Sequence, residues 1–136
     1  MTKIFLALLT PLLFSTFVSA QSPKTFTGNL SNGMKGDKIS FILAADGKTV
    51  EEVTFSGYWR CGGKLEQITV GPDKGFTVKG NLISGVVVEP PAGGATAWRF
   101  ELNGEIKGKT ASGTFRMNIN ALNCDTHLLK WTATTK

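Results

Sequence analysis

Histidine occurs once in the chain, as His127, and cysteine only twice, as Cys61 and Cys124. One histidine and two thiols fall short of the four ligands a structural metal site wants, so no metal centre is expected. They also leave a single base for any hydrolytic triad, and no Gly-x-Ser-x-Gly elbow is there to supply a nucleophile. The 15 lysines and arginines against 10 acids form no run, although the formal charge is +5. A nucleic-acid binder shows a basic stripe with interleaved aromatics, so no nucleic-acid partner is expected. Asp37, Asp46 and Asp73 do not make an Asp-x-Asp-x-Asp calcium loop, and Gly93-Gly94 has neither the lysine nor the helix of a phosphate loop. No cofactor is implied. A catalytic reading would return only if the fold brought two carboxylates to glycosidase spacing in one cleft.

What is present begins with an address. Met1-Thr2-Lys3 leads into an apolar run over 4–18, interrupted by Thr10, Pro11, Ser15 and Thr16, and then Val18-Ser19-Ala20. A positive start, a short apolar stretch and small residues before a cut describe a secretory signal peptide. A spanning helix needs about 20 apolar residues, and this run is shorter and broken by Pro11. The reading is therefore a signal over 1–20 and one β-domain over 21–136, secreted or periplasmic, with no transmembrane segment after cleavage. In such a compartment Cys61 and Cys124 are expected to form a disulfide.

The chain is organised around Val53-Thr54-Phe55-Ser56-Gly57-Tyr58-Trp59-Arg60-Cys61. Apolar residues hold its odd positions and polar or amphipathic ones its even positions, the pattern of a strand with one buried face. Turn signals recur every 8–12 residues or so along a chain with 16 glycines, as in sandwiches and barrels. Strands are expected over 25–30, 38–44, 49–61, 66–70, 76–80, 82–89, 98–107, 110–119 and 126–134. Asp46-Gly47 is a hairpin turn, because glycine accepts the positive φ of a type I′ turn. Glu51-Glu52 breaks the alternation between Val50 and Val53, so a bulge is expected there. A second bulge is expected at Gly104 inside one long strand. Val86-Val87-Val88 has no polar alternation and reads as covered on both faces. His127, Leu129, Trp131 and Ala133 share parity, so His127 is expected inward as a structural histidine. The fold class is all-β, a mostly antiparallel two-sheet sandwich or flattened barrel of nine or ten strands.

The order Ile39-Ser40-Phe41, Asp46-Gly47, Val53, Phe55, Cys61, then Gly104-Glu105-Ile106, 111–115, Cys124 and Trp131-Thr132-Ala133 resembles small secreted bacterial single-domain β-proteins of uncharacterised function. The resemblance implies a compact disulfide-tied β-domain in a cell-envelope or extracellular setting, and it carries no catalytic residue across. In that setting the Asn29-Leu30-Ser31 sequon has no role, since glycosylation there needs a eukaryotic secretory pathway.

Binding is what remains. Tyr58 stands on the polar face of its strand beside Arg60, where an aromatic flanked by a guanidinium can stack on a sugar or anchor a protein partner. Trp59, Trp98 and Trp131 face inward on parity; in a barrel they would line an apolar pocket for a small apolar ligand. Residues 89–97, with Pro90 and Pro91, form the longest segment without structure and the best candidate for a mobile contact surface. Three roles follow: a non-enzymatic exported binding or envelope-associated module, a small-molecule-binding barrel, and an inhibitor of a secreted hydrolase presenting Pro90-Pro91.

Overall fold

The computed structural model describes residues 21–136, so the leader expected over 1–20 lies outside them. Ten strands follow one another: β1 (Lys24–Leu30), β2 (Lys38–Leu43), β3 (Thr49–Cys61), β4 (Lys64–Val70) and β5 (Phe76–Lys79) in the first half. The second half holds β6 (Leu82–Glu89), β7 (Trp98–Lys107), β8 (Thr110–Ile119), β9 (Cys124–Asp125) and β10 (Leu129–Thr134). A single 3-10 turn at Asn120–Leu122 precedes β9.

All pairings are antiparallel, and they run in a closed ring. β1 pairs β2, β2 pairs β3, β3 touches β5, and β5, β6, β7 and β8 follow in order. β10 then lies between β8 and β1, joining Trp131 to Gly113 on one side and to Leu30 on the other. Closing the ring removes most of the free edges that an open sheet would expose, those of β4 and of one stretch of β3 excepted. Of the two architectures left open by the sequence, the hydrogen bonding follows the flattened barrel.

β3 is the long strand around which the wall is assembled. Val50 and, further on, Val53, Phe55 and Trp59 are all buried. The change from even to odd parity is made by a bulge: Ser40 faces Thr54 while Ile42 faces Glu51, and Glu52 takes φ 48°. The doubled glutamate signals that insertion, as expected. At Gly104 the expectation fails. β7 runs without a bulge, with Gly104 opposite Gly113 on one side and Ile83 on the other. Glycine is required there for space, since a Cβ on Gly104 would lie 2.6 Å from the Trp131 ring. The valine run is likewise corrected: Val87 is buried but Val86 is 46% exposed, so β6 has one covered face.

The interior is filled by side chains in aromatic groups. Phe26 stacks on Phe41, which meets Trp131 edge-on at 5.5 Å. Phe55 stacks on Phe115. Towards the other end Trp98 lies flat between Trp59, at 5.3 Å, and Phe100, at 5.9 Å. Offset stacks of this kind add a little beyond the area they bury. Cys61 and Cys124 face each other across β3 and β9 and are disulfide-bonded over a sequence separation of 63. β4 departs from the ring: it continues the β3 hairpin through Gly62-Gly63 and is exposed along most of its length, with only Ile68 and Val70 half-buried. No helix among the described residues is long and apolar enough to cross a membrane.

Candidate functional site

β3 outruns its neighbour. β2 makes its last rung with β3 at Lys38–Ser56, and β9 begins pairing only at Arg60–Asp125. Between those rungs the side of β3 at 57–59 that faces away from β4 has no strand beside it, so the amide on that side must find another acceptor. Asp37 supplies one. Its Oδ1 accepts from the Tyr58 backbone N–H at 3.1 Å, and its Oδ2 accepts from the Met34 N–H at 2.9 Å. Asp37 is only 2% exposed. Gly57 makes room for it, because a Cβ there would sit 2.6 Å from the Asp37 carboxylate.

The breach opens into a cavity of about 250 Å³ lined by the 32–37 turn, the end of β3, Leu65 of β4 and the 125–129 segment. Tyr58, Trp59 and Arg60 all border it, so two of the four residues singled out from the sequence as contacts share one site with one of the tryptophans, while Pro90 and Pro91 do not. Trp59 is buried and its indole N–H has no acceptor among the described residues; the same is true of Trp131, which lies elsewhere in the core. Met34 and Leu65, both about half exposed, add an apolar rim.

The walls are braced before any ligand arrives. Asn32 Nδ2 donates to the Leu128 carbonyl at 3.0 Å, while its Oδ1 accepts from the Lys130 N–H at 2.6 Å. Arg116 grips Asp125 through Nε at 3.1 Å and Nη2 at 2.6 Å. The His127 backbone N–H donates to Asp125 Oδ1 at 2.7 Å. Burial alone would push the Asp125 carboxyl up, but the Arg116 and His127 hydrogen bonds, with the nearby positive charges, outweigh it and hold the carboxyl below its ordinary value. The same hydrogen bond, with the carboxylate's charge, pushes the Arg116 guanidinium further up. His127 itself corrects an expectation. β10 begins only at Leu129, and His127 sits in the preceding turn at φ 56° with its side chain 76% exposed, at the rim of the cavity.

No known family model, curated protein or solved structure matches the chain. The site must therefore be read from its own chemistry.

The remaining candidates lie apart from it. Trp98 stacks on Trp59 and Trp131 packs against Phe41, but neither lines this cavity. Pro90 and Pro91 belong to the loop between β6 and β7. That loop is folded into two turns, Gly93 N–H to the Pro90 carbonyl at 2.8 Å and Ala97 N–H to that of Gly94 at 3.2 Å. It is tied to the 3-10 turn by the Ala121 N–H, which donates to Ala95. Pro91 borders a separate shallow cavity with Val86, Val87 and Val88. Among the described residues no three metal-binding side chains come together.

Sequence reasoning missed Asp37, Asn32 and Asp125 as parts of this site. Asp37 lies between Gly36 and Lys38 in what reads as a solvated turn. The one available signal was Gly57, a glycine interrupting a buried strand face, which marks a close approach without saying what approaches.

Proposed function

We propose that the chain is an exported, non-enzymatic binding domain, secreted or periplasmic, whose ligand enters the breach between β2 and β9. The observation that carries this reading is the convergence of Tyr58 and Arg60 with a buried carboxylate on one braced cavity. A concave site with an apolar rim and few polar groups held in place is the usual form of a ligand pocket. Bracing before binding lowers the ordering cost of association. The Cys61–Cys124 bond and the leader favour an oxidising compartment.

Asp37 and Asp125 do line one cavity, the arrangement on which a hydrolytic reading depends. Both are already committed: Asp37 to two backbone amides, Asp125 to Arg116 and His127. Each carboxylate holds the wall together, which favours binding over turnover.

The test is an amide-resonance titration of the mature protein with neutral saccharides, charged sugars, amino acids and lipophiles. Shifts clustered on 32–37, 58–60 and 125–129, lost in Arg60→Ala and Tyr58→Ala, support the site. If every compound leaves those resonances in place, the binding role fails.

A further inference from the structure

Lysines scattered along the sequence are gathered by the fold. β1, β3, β6 and β8 start at one end of the barrel, and β2, β5, β7 and β10 finish there. That end is built from the 44–48, 80–81 and 108–109 connections and the segments 21–23 and 135–136. With the strand residues that flank them, these carry Lys24, Lys48, Lys79, Lys107, Lys109 and Lys136 against one acid, Asp46. All six lysines are exposed. Backbone contacts tie the turns together: the Val78 N–H donates to the Lys48 carbonyl at 2.8 Å, and the Thr135 N–H to that of Lys109 at 2.9 Å. Lys24 and Lys136 border one cavity. Glu51 and Glu105 stand two residues in from this rim, and Glu105 meets Lys107 at 3.9 Å. The opposite end is balanced. Its segments 31–37, 62–63, 90–97 and 120–128, with their flanking strand residues, hold Lys35, Lys38 and Lys64 against Asp37, Glu89 and Asp125.

A bilayer of anionic lipid fits the basic end better than a nucleic acid does. The six charges ring the end of a barrel instead of lining a groove, so a flat surface meets them together. All are lysines, whose ammonium is a point charge; the arginines that grip phosphates in bidentate fashion, Arg60, Arg99 and Arg116, lie elsewhere. Among the described residues no aromatic side chain is exposed at this end to stack on a base. An apolar one is there instead: Leu82, 55% exposed, begins β6 opposite Lys79 and Glu105. A leucine among lysines suits the boundary between headgroups and acyl chains. Each lysine close to an anionic bilayer raises partitioning about fivefold.

We infer that this end docks on a bilayer of anionic lipid, leaving the breach between β2 and β9 pointed away from the membrane. Docking here is independent of what the breach binds. The experiment is co-sedimentation of the mature protein with phosphatidylcholine vesicles, alone or with about one-third phosphatidylglycerol. Binding is expected only to the anionic vesicles, and it should fall at least about tenfold as ionic strength rises from roughly 0.05 to 0.5 M. Lys79→Gln, Lys107→Gln and Lys109→Gln combined should weaken it roughly ten- to a hundredfold. Should that triple variant fail to fold, Lys24→Gln with Lys136→Gln strikes the other side of the ring and should weaken binding roughly three- to thirtyfold. Lys38→Gln, Lys64→Gln and Lys130→Gln remove the same charge from elsewhere and should change binding less than about threefold. Leu82→Ser should weaken it roughly two- to fivefold and keep the salt dependence. Melting temperatures are checked for each variant. Absence of binding to anionic vesicles at low salt, or equal losses from the two triple variants, overturns the inference. Tighter binding to single-stranded DNA or heparin, lost in the first triple variant, also overturns it and assigns the end to a soluble polyanion.

Discussion

The barrel wall is made in two different ways. From β6 through β7 and β8 to β10 it is continuous backbone, with rung after rung in register and Gly104 facing Gly113 so that the Trp131 ring can lie close. Beside the far half of β3 the ladder is interrupted, and a side chain, Asp37, stands in for a missing strand. In the first region side chains mainly pack, and the buried Trp131 indole N–H lies among them without an acceptor. In the second the substitution of carboxylate for backbone leaves space, and polar groups collect around it. The candidate site is a consequence of where the strand pairing stops.

This contrast can be broken or sharpened by measurement. Trp131→Ala strikes the continuous wall and should cost roughly 3–5 kcal/mol in chemical denaturation, because a large buried ring leaves a cavity that close-packed strands cannot collapse. A loss under 1 kcal/mol would mean that region is not the packed one. Cys61→Ser and Cys124→Ser each remove the tie across the far end of β3. Each should lower stability by a similar amount, up to about 4 kcal/mol, and the double variant by no more. Additive losses in thermal melts would show the two thiols acting separately. Asp37→Ala leaves the Tyr58 and Met34 amides without their acceptor and should cost about 2–3 kcal/mol. If it is neutral, the carboxylate does not replace a strand.

The smallest effect is that of acid on the Asp125–Arg116 pair. The folded carboxyl of Asp125 lies below its unfolded value. Its contribution is therefore complete above the ordinary aspartate value of about 3.9 and is lost as pH falls through the lower folded value. With Arg116 half exposed, that contribution is about 1 kcal/mol or less. Asp125→Asn should flatten the stability profile below about pH 4 and leave it unchanged in slope above. An unchanged acid limb would show that the pair adds nothing.

The same contrast explains how much was legible in the sequence. Where wall and core are made by alternation, the reading succeeds: β3 with its bulge at Glu51-Glu52, the hairpin around Asp46-Gly47 and the apolar faces of β7 and β8 all follow from period-2 pattern and turn chemistry, although only Gly47 takes a positive φ and the turn is not type I′. Gly104 was misread because a glycine that signals a bulge and a glycine that admits a ring from the next strand but one look alike in one dimension. Val86 was misread because three valines in a row cannot say which neighbour is absent. The site itself depends on contacts such as Asn32 with Lys130 and Asp37 with Tyr58, pairs distant in the chain and free of periodicity. Tyr58 and Arg60 were legible as candidates because an aromatic beside an arginine on the polar face of a strand is unusual on its own. Their buried partners were not, because a turn aspartate is ordinary until something covers it.

One consequence follows from the position of β10, which is hydrogen-bonded to β8 and β1 at once. It acts as the keystone of the ring, and among the described residues it is the last strand in chain order. Until residues 129–134 dock, β1 and β8 both carry raw edges, so no ring lacking β10 is closed. Ring closure is thereby postponed until the whole of the described chain is in hand, long after the β2–β3 hairpin can form.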